Sequence, residues 1–262
     1  MSLGLAGKAK LRARDAIDLV AGRRDPLVPP HRLRAHGGDF VAVGDELLSR
    51  LVPLAKLRPD DRVLEVGCGA GRLARPLADC LGPGGSYDGL GTGPEALAWC
   101  RYAYRDRPDF AFTLVEAEER HPLAGAAGDV PNVRLPFADG AFDLVIAAGV
   151  VERLAEDRIR ILLGEARRVL AVDGRLFATA YLLDDVARGA IAEGSAQPHF
   201  AETGGGGAGC EPPSAQIGVA HDEEWLLDRV AEAGFRTAGI RHGTWVPRDG
   251  GLGPQDALVA RR

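Results

Sequence analysis

From about residue 59 onward, short apolar runs alternate with segments in which apolar residues recur at helical spacing. Runs of roughly four to eight apolar residues favour buried strands, and apolar residues at helical spacing favour helices that bury one face. The expected strands are "DRVLEVG", "GSYDGLG", "DFAFTLVEA", "AFDLVIAAGV" and "RLFATAYLL". The expected helices are "GRLARPLADCLG", "GPEALAWCRYAYRD", "DRIRILLGEARRVLAVDG" and "DEEWLLDRVAEAGF".

This alternation predicts an α/β fold, a doubly wound and mostly parallel sheet with helices on both faces. Two further strands are expected at the end of the chain, "RTAGIRHG" and "DALVARR". Residues 1–58 differ, because they read as helical and irregular, with a basic helix first. That first helix either lies on a membrane surface or packs on its own domain. We therefore divide the chain into an N-terminal helical cap, 1–58, and an α/β domain, 59–262.

The segment 194–218, "GSAQPHFAETGGGGAGCEPPSAQIG", is rich in Gly, Pro and Ala and shows no strand or helix period. A structureless segment of this length is usually either functional or disordered. It follows a strand of the parallel sheet, so its base is expected at the carboxyl edge, where ligands bind in such folds. It is therefore either a lid over a substrate or a loose insertion.

Composition excludes several classes of protein. The net charge of −5 argues against a broad nucleic-acid footprint. No apolar stretch approaches the roughly 18–20 residues that span a bilayer, and no secretory signal is recognisable at the start. The four cysteines show no CxxC spacing, which argues against a zinc site and favours free thiols in the cytoplasm. We expect no metal, and a small molecule rather than nucleic acid or membrane as the partner.

The stretch "VLEVGCGAG" (63–71) places Gly67, Gly69 and Gly71 at the first strand-to-helix turn. Glycine permits a tight backbone there and leaves room for a ligand against the main chain. The spacing is GxGxG, not the GxGxxG of the dinucleotide fingerprint. The apolar strand before the loop, which ends near Glu65, strengthens the interpretation as a ligand site.

This stretch, followed by "LPFADGAFDLVIAAGVVERL" and "EARRVLAVDGRLFATAYLL", resembles the class I S-adenosylmethionine-dependent methyltransferases. The resemblance runs from about Phe40 to the C-terminus and is strongest to bacterial small-molecule methyltransferases with a "GGDF…VG" helix. It implies a Rossmann-like sheet of seven strands with the last one antiparallel. It also implies S-adenosylmethionine as the cofactor and an oxygen or nitrogen of a small molecule as the methyl acceptor, in a biosynthetic pathway.

The resemblance also assigns a cofactor site by position. The loop residues Gly67, Cys68, Gly69 and Gly71 would lie under the methionine part of the cofactor, and Glu65 would orient the loop and offset the positive charges. Ala148 and Gly149 would border the methionine part, and Phe40 would close the cofactor or simply pack in the core. The remaining positions are Gly91 and Thr92 at the ribose and Asn132 and Val133 at the adenine.

One departure concerns the ribose. Relatives end the second strand in Asp or Glu, which binds both ribose hydroxyls, and the matching residue here is Gly91. Asp88 lies three residues back and points to the opposite face of a strand. Glu95 either reaches the ribose or completes a helix capping box in "TGPE" (92–95). Loss of the acid weakens the site without destroying it, by the roughly 1.5–3 kcal/mol of hydrogen bonds to a charged group.

A second departure concerns the chemistry. Relatives commonly have a histidine where this chain has Arg153, and arginine does not act as a base near neutral pH. Glu152 is either a base whose pKa burial raises or the polar start of a helix. His199 in the possible lid and His221 after it are either catalytic or surface and capping histidines. We carry Glu152 and His199 as the catalytic candidates.

Three functions follow from these observations. The first is methyl transfer to a small molecule, driven mainly by proximity and orientation. The second is a methyltransferase fold used for another reaction, such as a cyclisation. The third is a binding partner without catalysis.

Overall fold

The computed structural model describes residues 25–34, 38–115, 134–203, 207–210 and 218–262. Its main sheet has seven strands in the order β10-β11-β5-β4-β1-β2-β3. They are β1 Arg62–Val66, β2 Ser86–Gly91, β3 Phe110–Leu114, β4 Phe142–Ala147, β5 Leu170–Ala180, β10 Arg236–Arg241 and β11 Asp256–Arg261. Strands β1 to β5 pair in parallel, whereas β11 is antiparallel to both β5 and β10. The predicted seven-stranded, mostly parallel sheet is confirmed.

Six α-helices are described. They are α1 Phe40–Ala55, α2 Ala74–Cys80, α3 Pro94–Ala103, α4 Glu156–Val169, α5 Asp185–Ala192 and α6 Glu223–Glu232. Helix α1 begins where the Asp39 carboxylate accepts the N–H groups of Val41 and Ala42, and it ends at Lys56, which adopts a left-handed conformation with φ 52°. Helix α3 begins with Pro94, whose fixed φ suits the first turn. These ends explain where the two helices start and stop.

The sheet is buried on both faces, as its apolar strands predict. Val63 of β1 faces a core that α1, α2 and α3 cover, and its neighbour Leu64 faces the core under α4 and α6. Both side chains are fully buried. Leu47 and Leu51 of α1 join the first of these cores, so α1 packs directly on the sheet. The division at residue 58 stays a prediction, and the basic first helix lies outside the described residues.

A second, four-stranded sheet was not predicted. Its order is β6-β9-β8-β7, with β6 Leu182–Leu183, β7 Phe200–Thr203, β8 Gly207–Cys210 and β9 Val219–Asp222. Strands β7 and β8 form an antiparallel pair inside the segment 194–218, so its described part is not structureless. Its apolar side chains pack with Tyr181 and Trp245 in a small core of their own.

Asp256, at the start of β11, ties this second sheet to the main one. Its buried carboxylate accepts hydrogen bonds from Leu182 N at 2.8 Å, Gly243 N at 2.7 Å and Trp245 Nε1 at 2.8 Å. Burial raises the pKa of this carboxyl, and the three donors lower it. The small sheet and the loop 242–255 are therefore held in fixed positions beside the carboxyl end of β5. Within the described residues, no helix has the length and apolarity needed to cross a bilayer.

Candidate functional site

A cavity of about 350 Å³ opens at the carboxyl edge of the main sheet. The ends of β1, β4 and β5 supply its floor, and α1 and the residues just before β11 supply its walls. The lining residues come from six stretches of the chain, 33–34, 40–50, 65–73, 148–153, 179–181 and 254–255. This edge is where a doubly wound sheet binds ligands.

The glycine loop adopts the geometry that its sequence predicts. Gly67, Gly69 and Gly71 have φ values of 83°, 54° and 80°, which L side chains rarely adopt. The N–H groups of Gly67 and Cys68 both donate to the Leu90 carbonyl at 2.9 Å, which ties the loop to β2. A Cβ built on Gly69 meets nothing within 4 Å, so the loop leaves open space on the cavity side. A ligand can therefore lie directly against this backbone.

Glu65, the fourth residue of β1, lies under the loop and is 5% exposed. Tyr87 Oη donates to its Oε2 at 2.5 Å. Burial raises the pKa of Glu65 to about 7, although Tyr87 and the Arg72 guanidinium favour the ionised form. A cationic ligand group would favour that form further. Glu65 is therefore suited to offset a positive charge, as the resemblance implies.

Phe40 and Arg72 close the cavity on the side of α1. Phe40 is buried and lines the cavity, and the Arg72 guanidinium carbon lies 5.6 Å from the centre of its ring. Burial lowers the pKa of Arg72, and Glu65 raises it. The sequence reasoning missed Arg72, although it directly follows the glycine loop. Its guanidinium brings a positive charge to the end of the cavity where Glu65 lies.

Gly91 lies at the end of β2 and is buried, but neither it nor Thr92 lines the cavity. Its φ lies outside the left-handed region. A Cβ at Gly91 would lie 3.2 Å from Leu97 Cδ2 and 3.5 Å from Cys68 Sγ. The backbone conformation at Gly91 therefore permits other residues, but the surrounding side chains leave little room for one.

The expected capping box at 92–95 is wrong. The N-cap of α3 is Gly93, which makes no side-chain capping bond, and Glu95 is an exposed residue of the first turn. Proline has no N–H group, so Pro94 at the first helical position leaves one donor fewer to be capped, and the helix can start without such a cap. Glu95 does not line the cavity, and Asn132 and Val133 lie outside the described residues.

Glu152 lies in a 3-10 helix, Val151–Arg153, that follows β4 and the cavity residues Ala148 and Gly149. Its side chain is 2% exposed and lines the cavity. Gln255 Nε2 donates to its Oε1 at 2.8 Å. Burial raises the pKa of Glu152, while Arg153 and Gln255 favour the charged form. The carboxyl is thus inside the cavity rather than at the exposed start of a helix.

The two histidine candidates lie elsewhere. His199 is exposed, and its Nε2 is 3.3 Å from Gln197 Nε2. His221 is buried, with Nε2 3.1 Å from the Val151 carbonyl oxygen and its ring stacked on Trp225. Neither lines the cavity. The structure therefore brings Glu152, and not His199, to the glycine loop, and a catalytic role for His199 stays an untested prediction.

The described part of 194–218, a lid in one of its two interpretations, does not line the cavity. Helix α1 lines it, together with Tyr181, Pro254 and Gln255. The segment still reaches the site at its end, because Gly218 packs so closely on the Glu152 carbonyl that a Cβ there would clash with the oxygen.

A group of possible metal ligands lies outside this cavity, at Asp184, Glu223 and His242. His242 Nε2 is 2.8 Å from Glu223 Oε2 and 3.8 Å from Asp184 Oδ2. However, Arg248 donates to both oxygens of Asp184, at 2.8 and 2.9 Å. The guanidinium thus already offsets the charge of the Asp184 carboxylate.

Comparison with known proteins adds a family to this geometry. Residues 64–176 match the family model described as "Methyltransferase domain". The chain is 30% identical over 169 residues to the highly reducing polyketide synthase gloL of Glarea lozoyensis, covering 61% of this chain and 6% of that protein. It is 34% identical over 116 residues to a probable phthiotriol/phenolphthiotriol dimycocerosates methyltransferase of Mycobacterium ulcerans, covering 43% and 36%. The chain thus spans a minor part of these relatives.

Solved structures match over more of the chain. A protein from Pyrococcus horikoshii superimposes with a TM-score of 0.59 at 16% identity, covering 89% of this chain and 96% of that one. An S-adenosylmethionine-dependent methyltransferase from Mesorhizobium loti gives a TM-score of 0.54 at 15% identity, covering 82% and 96%. At these identities the likeness concerns the fold.

Proposed function

We propose that this chain is a class I S-adenosylmethionine-dependent methyltransferase that methylates an oxygen or nitrogen of a small molecule, and the match of residues 64–176 to the methyltransferase-domain model supports the proposal. The observation that carries the proposal is the single cavity that contains both the glycine loop with Glu65 and the buried carboxyl of Glu152. A candidate cofactor site and a candidate acceptor site thus share one cavity. The names of the two relatives, a polyketide synthase and a probable phthiotriol/phenolphthiotriol dimycocerosates methyltransferase, support a small organic acceptor.

The residues present fit the methionine part of S-adenosylmethionine. The open space over Gly69 allows a ligand to contact the loop, and Glu65 lies close enough to the loop to offset positive charge. Arg72 would hold a carboxylate, since its guanidinium lines the same end of the cavity. The bound cofactor would supply an electrophilic methyl group, and the chain would supply orientation and exclusion of water.

The test is calorimetric titration of S-adenosylhomocysteine into the wild type and Gly69→Val. The variant should lose at least about tenfold in affinity, because the side chain would fill the space that the ligand needs. Gly194→Val is the matched control. Gly194 also has a positive φ, 72°, and open space around its Cβ, but it does not line the cavity. The control should bind like the wild type, and equal affinities for all three proteins would contradict the placement of the cofactor.

A methyltransferase fold used for another reaction, or for binding alone, is the second candidate. Gly91 favours it, because the acid that relatives use for the ribose is missing. Turnover assays separate the candidates: the proposed function requires transfer of a labelled methyl group to an acceptor, whereas the second candidate binds cofactor or acceptor without transfer. The predicted cytoplasmic location and the absence of a nucleic-acid partner stay predictions.

A further inference from the structure

The Oε2 atom of Glu152 is shielded from solvent and has no hydrogen-bond partner among the described residues. Its other oxygen, Oε1, accepts from Gln255 Nε2. A buried polar atom without a partner costs about 1–3 kcal/mol, and more for a charged group. Because the Glu152 residue lines the cavity, a group of a bound ligand could become the partner of this oxygen.

A chain of hydrogen bonds fixes the direction of the Glu152–Gln255 contact. The N–H of Gly149 donates to Thr179 Oγ1 at 2.9 Å, and Thr179 Oγ1 donates to Gln255 Oε1 at 3.0 Å. The Gly149 N–H can only donate, so the Thr179 hydroxyl hydrogen is free to point to Gln255. The Gln255 amide is then oriented with its oxygen toward Thr179 and its NH₂ toward Glu152. Glu152 Oε1 must therefore be an acceptor.

From this arrangement we propose that Glu152 Oε2 receives the proton of the methyl acceptor, and that Gln255 and Thr179 are positioning residues for it. The inference rests on the proposed function and narrows its substrate class to molecules whose nucleophile carries an O–H or N–H. During transfer the acceptor's lone pair forms the new bond to the methyl carbon, the sulfonium S–C bond breaks with its electrons returning to sulfur, and the acceptor's proton moves to Oε2. Atoms and charge balance without another reactant.

The isosteric variant Glu152→Gln inverts this site. Gln255 still presents its NH₂, so the new side chain must turn its own oxygen toward Gln255 and place its NH₂ where Oε2 was. The position of the hydrogen-bond acceptor Oε2 is thereby taken by a hydrogen-bond donor, while the volume of the side chain stays the same. Glu156→Gln is the matched control, because Glu156 is exposed at the start of α4 and does not line the cavity.

The first experiment uses phenol and anisole as probes, with binding measured by ligand-detected NMR in the presence and absence of S-adenosylhomocysteine. The two share a ring, but only phenol has a hydrogen to donate. Wild type and Glu156→Gln should bind phenol about tenfold more tightly than anisole, as a hydrogen bond to a charged acceptor implies. Glu152→Gln should lose this preference. Equal binding of the two probes to the wild type, or binding of neither, would overturn the proposal.

The second experiment follows the Glu152 carboxyl carbon by ¹³C NMR as the pH changes. Arg153 and Tyr181 are the charged or titratable groups that interact with it from neighbouring positions. Gln255→Met should raise the pKa of Glu152, because it removes a hydrogen bond to the ionised form. Thr179→Val should raise it in the same direction by freeing the Gln255 amide, and Thr179→Ser should restore the wild-type value. An unchanged pKa in both Gln255→Met and Thr179→Val would overturn the positioning role.

Calorimetry with S-adenosylhomocysteine distinguishes failure of this inference from failure of the proposed function. If the wild type does not bind S-adenosylhomocysteine but still prefers phenol, the methyltransferase proposal fails and the Glu152 site remains. If S-adenosylhomocysteine binds and the preference for phenol is absent, the cofactor site remains and the role of Glu152 is wrong.

Discussion

Gly91→Asp tests whether the ribose of a bound cofactor lies at the end of β2. Gly91 does not have a positive φ, so an aspartate adds no left-handed backbone strain. The obstacle is packing, because the new Cβ would lie 3.2 Å from Leu97 Cδ2. That atom is the far end of a flexible side chain, although Leu97 is fully buried. A shift of a few tenths of an ångström would relieve the contact, at a cost toward the lower end of the roughly 1–3 kcal/mol typical of overpacking.

The expected gain in cofactor affinity and the expected loss of stability appear in different measurements. The clash with Leu97 is present with and without ligand, so it lowers the free energy of unfolding and leaves the affinity nearly unchanged. The new carboxylate would accept hydrogen bonds from the ribose hydroxyls, which are worth about 1.5–3 kcal/mol for a charged acceptor. We therefore expect S-adenosylhomocysteine to bind roughly 10- to 100-fold more tightly, in a protein that is slightly less stable.

Two further variants at the same position separate the effect of the packing clash from the effect of the new negative charge. Gly91→Ala adds the Cβ alone and measures the clash, and Gly91→Asn adds a neutral acceptor of nearly the same size as Asp. Affinity is measured by calorimetry at neutral pH, and stability by urea unfolding of the same samples. If Gly91→Asp is as stable as Gly91→Ala and gains no affinity over it, the ribose does not lie at Gly91. That result would favour the second candidate function, a methyltransferase fold used for another reaction or for binding alone.

Two other predictions follow from the site. Tyr87→Phe removes the hydrogen bond to Glu65, so it should raise the pKa of Glu65 above about 7 and weaken S-adenosylmethionine binding near neutral pH. Tyr104→Phe is the control and should do neither, because Tyr104 Oη has no hydrogen-bond partner among the described residues. Because the pKa of Glu65 is raised in the folded state, the free energy of unfolding should fall as the pH rises from about 4.5 to 7. Urea unfolding across that range measures this loss of stability, and calorimetry measures the affinity for S-adenosylmethionine. Replacing 194–218 by a short linker should change turnover of an acceptor but leave cofactor affinity nearly unchanged, because Phe200 in the described part of the segment packs against Tyr181 and no described residue of the segment lines the cavity. Unchanged turnover would contradict the lid hypothesis.

The parts of the fold that were predicted depend on local patterns. Strand β1 is recognisable because Val63, Leu64 and Val66 are apolar on both faces, which a buried parallel strand requires. The glycine loop is recognisable because its positive φ values demand glycine at fixed spacing. Strand β8 was missed because Gly207 and Gly209 are poor strand formers, and pairing with β7 and β9 supplies the missing preference.

Gln255 shows why part of the candidate site was not found from the sequence. In a parallel sheet, the residues at the ligand-binding edge lie at or soon after the carboxyl ends of the strands, as Glu65, Ala148 and Glu152 do. Strand β11 runs the other way, with Asp256 opposite Ala180 at the end of β5. The residue at the ligand-binding edge is therefore the one before the strand, Gln255.

The same reversal explains how the network around Glu152 is assembled. Thr179 is near the end of β5 and Gln255 precedes the adjacent antiparallel strand, so 76 residues of sequence separate two side chains that are hydrogen-bonded. The Arg50 side chain of α1 donates to the Gln255 carbonyl oxygen at 3.1 Å, which also ties the cap helix to this position. The buried carboxyl is thus oriented by the residue before β11, which α1 in turn holds in place. Gln255 directly precedes the predicted strand "DALVARR", so an antiparallel last strand alone places this residue at the ligand-binding edge.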